Sequence, residues 1–385
     1  MATRRAVRKK KRFNLKRIIN TFMFRSTFFD YSLLFIILFL VAFGLVIVYS
    51  TSSYTAQLQK GDPAYFLKHQ AVAAVVGCIA MLIVANMDYH VFKKFSLLLM
   101  YGILVMLVVV LIWGVASHGA SRWLSIGGLS LQPSEFAKII IILYTAHMCT
   151  IWAARITDPK VLARIVFWPM IAIALIAKEN LSTSIICAAI VFVVVFVTSP
   201  KWKQFFVMAG GVCVMMGIFL MVASYRLDRI KIWLHPEKYE KGYQTLQALY
   251  AIGSGGLFGK GLGQSIQKMG FIPESHNDYI FSVICEELGL FGAVCVILLF
   301  ALLLWRCVMI AMSAPDLYGA LLVVGVITHI AVQVIVNIAV VTKSIPPTGV
   351  PLPFISYGGT AILVLLVEIG VVLSVAKQIA LPKEY

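Results

Sequence analysis

The chain has 385 residues, of which 61% are hydrophobic and 13% charged, about half the charged share of an average soluble protein. A soluble globular domain is excluded. With 33 Lys and Arg against 16 Asp and Glu the formal net charge is +17, and ten of those cations precede residue 31. The seven cysteines are odd in number, sit in apolar segments and show no CxxC spacing, so they read as buried free thiols, neither a disulfide framework nor a zinc site.

Residues 1–30 form a basic tail with no small-residue cleavage site after a short apolar stretch, which reads as a cytoplasmic anchor. Residues 31–379 then read as a single all-α, polytopic membrane domain, and 380–385 as a cytoplasmic C-terminus. Apolar runs of about the length needed to cross a ~30 Å hydrocarbon core predict ten spans, near 31–51, 69–87, 95–116, 134–152, 163–177, 182–198, 203–224, 280–305, 317–341 and 358–379. Spans five and six are short and separated only by Lys178–Leu181, which fits either two tilted helices or a partly re-entrant hairpin. With the N-terminus inside, short loops divide their Lys and Arg 20 inside to 5 outside, so both termini are expected in the cytoplasm.

In chain order, the outer connection 117–133 carries Gly119-Ala-Ser-Arg-Trp123 and Gly127-Gly128, followed by Gln132-Pro-Ser-Glu135. Glu135 and Lys138 are three apart at the top of the fourth span, hence neighbours on one helix face and an expected ion pair. Ionisable residues at that depth are candidates for function as well as for structure.

The long outer loop 225–279 interleaves Arg226, Arg229, Lys260 and Lys268 with Trp233, Tyr239, Tyr243 and Tyr250. It reads either as a solvated loop or as a cationic groove for an anionic ligand, since Arg pairs bidentately with phosphate oxygens. Its glycine string Gly253–Gly263 fails the nucleotide-loop pattern, because Ser254 and Gly261 stand where that pattern needs Gly and Ser or Thr. A close backbone approach to phosphate and a plain run of turns are both open readings.

Ile272-Pro-Glu-Ser-His-Asn-Asp278 leads into the eighth span. Asn277 or Asp278 could cap that helix; alternatively Asp278, beside Glu274 and His276, is a general base or metal ligand. Glu286 and Glu287 follow within the span and are expected to face protein or water. His329, Gln333 and Asn337 form an i, i+4, i+8 polar stripe on the ninth span, a pattern more typical of helix–helix contacts than of a ligand set. Pro346-Pro-Thr-Gly-Val-Pro-Leu-Pro353 and Ser356-Tyr-Gly-Gly359 close the outer face. Concentrating polar, Gly- and Pro-rich sequence there points to chemistry or recognition outside.

Together, Gly119-Ala-x-Arg-Trp123, Gln132-Pro-Ser-Glu-Phe-Ala-Lys138, Tyr225-Arg-Leu-Asp-Arg-Ile230, Pro273-Glu-x-His-Asn-Asp278, Glu286-Glu-Leu-Gly289 and Thr348–Gly359 make the chain resemble the SEDS proteins (FtsW, RodA, SpoVE) over nearly everything after residue 30. Gln132-Pro-Ser-Glu after Ile126-Gly-Gly-Leu-Ser leans towards the FtsW-like division branch. The resemblance implies a ten-span peptidoglycan glycosyltransferase of the bacterial cytoplasmic membrane, polymerising lipid II on the outer face with a class B penicillin-binding transpeptidase. Division or elongation proteins are further implied partners, and nucleic acid is not. It implies Asp278 as the essential acid and Arg122, Trp123, Glu135 and Lys138 as site residues. The substrate-binding set is completed by Arg226, Arg229, Lys260, Lys268 and His276. A divalent cation, Mg or Mn, is a further expectation. Where relatives commonly carry an aspartate after the fifth span, this chain has Asn180. A lipid-precursor flippase and a non-catalytic scaffold are the alternative functions.

Overall fold

The computed structural model describes residues 29–117, 120–126, 129–201, 210–211, 224–273 and 275–379. The expected basic tail, the seventh span and Glu274 lie essentially outside the described residues. Among those described, nine helices are long and apolar enough to cross a membrane. They are α1 (Tyr31–Lys60), α2 (Tyr65–Ala85), α3 (His90–Trp113), α4 (Pro133–Trp152), α5 (Pro159–Glu179), α6 (Leu181–Thr198), α9 (Ile280–Met312), α10 (Leu317–Val341) and α11 (Gly359–Lys377). Two shorter helices, α7 (Ser224–Leu234) and α8 (Tyr243–Ser254), lie in the long outer connection.

Several boundaries differ from those expected. α1 runs nine residues past 51, ending at Gly61 in the left-handed region (φ 70°), and α9 runs to Met312 because no Pro or polar cluster interrupts it after 305. Spans five and six are both full-length, with Asn180 the single residue between them. Its Oδ1 accepts from the Thr183 N–H at 3.2 Å, capping α6. An asparagine serves there as well as an aspartate would.

The outer connection 117–133, in a chain read as all-α, forms with the end of the third predicted span a three-stranded antiparallel sheet: β1 (Val115–Ser117), β2 (Ala120–Ile126) and β3 (Leu129–Leu131), in that order. Val115 pairs with Trp123, and Leu124 with Leu131. β2 packs on α3, α4 and α5.

α10 and α11 form the centre of the bundle, whereas α2 and α3 keep large apolar faces open. Lipid is as apolar as leucine, so helices here associate through close packing at small residues. α2 and α11 pack this way: a Cβ on Gly370 would stand 2.7 Å from the Met81 carbonyl oxygen, and one on Gly77 would stand 2.6 Å from Leu366. None of the six described cysteines is in a disulfide.

Candidate active site

α9 is broken at Gly289, whose φ of 68° and ψ of −167° are not helical. Broken helical backbone is tolerated near the membrane only where protein satisfies it. Here the glycine string does so. The Lys260 and Gly261 N–H groups donate to the carbonyls of Glu286 and Glu287, both at 2.9 Å, and Leu290 and Phe291 donate back to Gly256 and Leu257 at 2.9 and 3.0 Å. A Cβ on Gly259 would lie 2.2 Å from the Glu287 carbonyl oxygen, which explains the glycine there. The string is therefore a backbone clasp on the broken helix, so its polar groups are spent within the protein.

The two acids at the break are buried and paired. Glu286 Oε1 meets Lys260 Nζ at 2.7 Å, and its Oε2 accepts from the Ser265 hydroxyl. Glu287 Oε1 meets Lys268 Nζ at 2.7 Å and also accepts from Ser50 on α1. Lys260 and Lys268, read from the sequence as groove cations, thus already neutralise protein carboxylates. Glu286 and Glu287 face protein, as their depth required.

Asp278 lies just before α9, and the helix N-cap position falls at Tyr279 with no side-chain cap hydrogen bond. The backbone of 276–278 is sewn to the proline-rich loop 346–358. Asn337 Nδ2 donates to the carbonyls of both Asp278 and Val350 at 2.8 Å. Ser356 Oγ donates to the Asn277 carbonyl at 2.7 Å, and the Tyr357 N–H to that of His276 at 2.9 Å. Gly349, with φ of 70°, faces the acid: a Cβ there would stand 3.9 Å from Asp278 Oδ2. Burial, with Asp278 alongside, pushes the Tyr279 phenol up to about 12, so it stays protonated at neutral pH.

The same loop collects the other outer elements. Ser182 of α6 donates to the Thr348 carbonyl at 3.0 Å, Arg229 of α7 to Pro347 at 3.1 Å, and Trp233 to Lys343 at 2.9 Å. From α10, Gln333 Nε2 reaches the Pro351 carbonyl at 2.9 Å. Gln333 Oε1 accepts from His329 at 2.8 Å and from Lys138 at 3.4 Å; Lys138 pairs with Glu135 at 2.8 Å and His329 with Glu368 at 2.7 Å. The expected Glu135–Lys138 ion pair is therefore present and buried, as one end of a polar chain ending at Glu368.

The model for the cell cycle protein family FtsW/RodA/SpoVE matches residues 31–380. This chain belongs to that family. Among FtsW/RodA/SpoVE relatives, stage V sporulation protein E of Bacillus subtilis (strain 168) is 40% identical over 359 residues, covering 90% of this chain and 97% of its own. A protein named probable peptidoglycan glycosyltransferase FtsW, from Trichlorobacter lovleyi, is 38% identical over 370 residues, with coverages of 93% and 96%. A chain in the solved structure described as structural coordination of polymerization and crosslinking by a peptidoglycan synthase complex aligns with a TM-score of 0.77 at 26% identity. The alignment covers 91% of this chain and 98% of that one. The crystal structure of the Thermus thermophilus rod shape determining protein RodA aligns with a TM-score of 0.68 at 28% identity, covering 92% and 98%. The chain is accordingly a multi-pass membrane protein of the SEDS fold.

Within this SEDS site, Trp123 is half-buried on β2. His276 is buried, its ring 4.7 Å from that of Phe66 and 5.7 Å from that of Tyr357. Arg229 is exposed beside the loop. The side chains of Arg122 and Arg226 lie outside the described residues. The i, i+4, i+8 stripe, read as helix contacts, does join helices through His329 to Glu368 of α11 and Gln333 to Lys138 of α4, while Gln333 and Asn337 also hold the loop and the Asp278 backbone. Ser50 and Ser265 carried no sequence signal, because their partners are 237 and 21 residues away. Among the described residues no group of three His, Cys, Asp or Glu side chains is placed to hold a metal ion.

Proposed function

We propose that this protein is a peptidoglycan glycosyltransferase that polymerises lipid II into glycan strands at the outer face of the bacterial cytoplasmic membrane. Family membership and the names of the relatives support that activity. The observation that carries the site assignment is Asp278, its backbone locked to Asn337 and its carboxylate beside the Gly349 turn where α4, α6, α7 and α10 converge.

Joining an α-linked donor diphosphate to an acceptor sugar through a β-1,4 bond inverts the anomeric carbon in one displacement, which needs a single base. The acceptor 4-hydroxyl oxygen forms the bond to the anomeric carbon while the carbon–oxygen bond to the diphosphate breaks. Asp278 takes the hydroxyl proton. The leaving diphosphate carries the electron pair away, and its charge is met by Arg229, exposed beside the loop, with Arg122 the further cation that the family resemblance assigns. The buried Lys138–Glu135 pair and the Gln333 chain below hold the loop in register. The termini face the cytoplasm, and a class B penicillin-binding transpeptidase is the partner that raises the rate.

Purified protein assayed on lipid II with and without that transpeptidase tests this reading. Asp278→Asn keeps size and shape and is expected to lose about a hundredfold or more, the scale of general-base removal. Near-normal polymerisation by well-expressed Asp278→Asn overturns the assignment.

A further inference from the structure

Helix α1 measures where the hydrocarbon ends, and α9 is bonded to it at both levels. At the end of the bundle near the first described residues, Arg306 Nη2 pairs with Asp30 Oδ2 at 3.0 Å, joining the start of α1 to α9. Ser50 lies 20 residues above Asp30 on α1, and Glu287 lies 19 residues above Arg306 on α9. At 1.5 Å per residue the rise along α1 is about 30 Å, the thickness of the hydrocarbon core, and α9, bonded to α1 at both levels, reaches the same height across its break at Gly289. Ser50, Glu287 and Lys268, which bond one another, therefore mark the far hydrocarbon boundary. The glycine clasp lies at that level, since its bonds run to residues 286–291 of α9.

At this level a polar loop would be expected to present mostly polar side chains. Beside exposed Lys260 and Gln264, this one presents mostly apolar ones. Leu257, Phe258, Leu262, Ile266, Met269 and Phe271 are all exposed, Phe258 to 81%. Exposed Leu290 and Phe291 of α9 adjoin it, held by the clasp bonds against Gly256 and Leu257. A patch this contiguous on a water-facing loop would be an association or membrane-contact site. A groove of about 600 Å³, walled by Tyr49, Tyr54, Leu262 and Met269, separates this segment from α1, with Ser50 and Lys268 at its base.

We propose that segment 255–271 is an interfacial anchor seated in the outer leaflet, its apolar side chains in contact with phospholipid acyl chains and the groove beside it taking a chain end. Lipid is the occupant because the patch sits at the hydrocarbon boundary measured along α1 and adjoins exposed Leu290 and Phe291 of a membrane span. Lys260, 31% exposed in its pair with Glu286, lies at the same level, where amphipathic elements place cations. The anchor ties the height of Asp278, seven residues further on, to the lipid surface. Which leaflet this is rests on the orientation in the preceding subsection; contact with lipid does not.

The test places the photocrosslinker p-benzoylphenylalanine at Phe258, at Ile266 and, as an aqueous control in the same connection, at the exposed Glu237 of the full chain. Native membranes are irradiated and the protein is weighed by intact mass spectrometry. All three sites are exposed, so folding is not at stake. The expected result is a phospholipid-mass adduct at 258 and 266 and none at 237. A protein adduct at 258, or no adduct there, overturns the anchor. Neither outcome depends on Asp278 or on activity.

Discussion

Asn337, buried on α10, gives both protons of its side-chain amide away at once, one to the Asp278 carbonyl and one to the Val350 carbonyl, each at 2.8 Å. Asn337 therefore bridges the candidate acid's backbone and the loop that faces it, alongside the Ser356 and Tyr357 bonds to residues 277 and 276. Replacing it with Ala orphans two carbonyls, at roughly 1–3 kcal/mol each if they stay dry. Asn337→Ala is expected to lower the melting temperature and to cut kcat tenfold or more with KM little changed. Steady-state polymerisation kinetics on the folded variant check this. A proportional rise in KM with unaltered kcat would show a binding role instead.

The Lys268–Glu287 pair is almost fully buried, with side-chain exposures of 5% and 0%. Removing one member leaves a charge without its counterpart, an effect of about 3–5 kcal/mol, whereas replacing both with apolar residues is near neutral. Lys268→Met should melt well below the parent, and Lys268→Met with Glu287→Leu should recover most of the loss. Thermal melts in detergent decide. A double variant as unstable as the single one would show that the pair does more than neutralise itself.

Gly259 and Gly263 both hold positive φ, 78° and 81°, but their surroundings differ. A Cβ at 259 strikes the Glu287 carbonyl, while one at 263 meets open space. Gly263→Ala is expected to cost only the left-handed penalty, about 1–2 kcal/mol. Gly259→Ala should cost clearly more, because it pushes the clasp off the broken helix. Equal losses at the two positions would argue against the clasp.

At the opposite end, Asp316 accepts from the Gly319 N–H at 2.8 Å and the Tyr89 hydroxyl at 2.8 Å, and its Oδ2 lies 3.0 Å from His90 Nε2. Burial pushes its carboxyl up, but those hydrogen bonds outweigh it and hold it below the usual carboxylate range. A depressed folded-state value means stabilisation that is present above the unfolded value, about 3.9, and lost as the pH falls through the folded one. Asp316→Asn keeps the cap but not the charge. Its melting temperature should lie below that of the parent at pH 7, and the gap should close on acidification below about pH 4.

The apolar runs specified the spans, because a bilayer demands about 20 apolar residues and satisfies none of the backbone, so helices follow from composition alone. The Glu135–Lys138 pair was equally legible, since i, i+3 neighbours share a face whatever surrounds them. The sheet at 115–131 was not, because its strands are three to seven residues long and lack sustained alternation. Long-range polar pairings were hidden for a different reason. Glu287 finds Ser50 across 237 residues, Asn337 finds Asp278 across 59, and the glycine string closes on a helix break 30 residues downstream. The sequence supplies the donors and acceptors, and the membrane forbids leaving them unsatisfied. Which donor meets which acceptor is a matter of helix packing, decided only when the bundle closes.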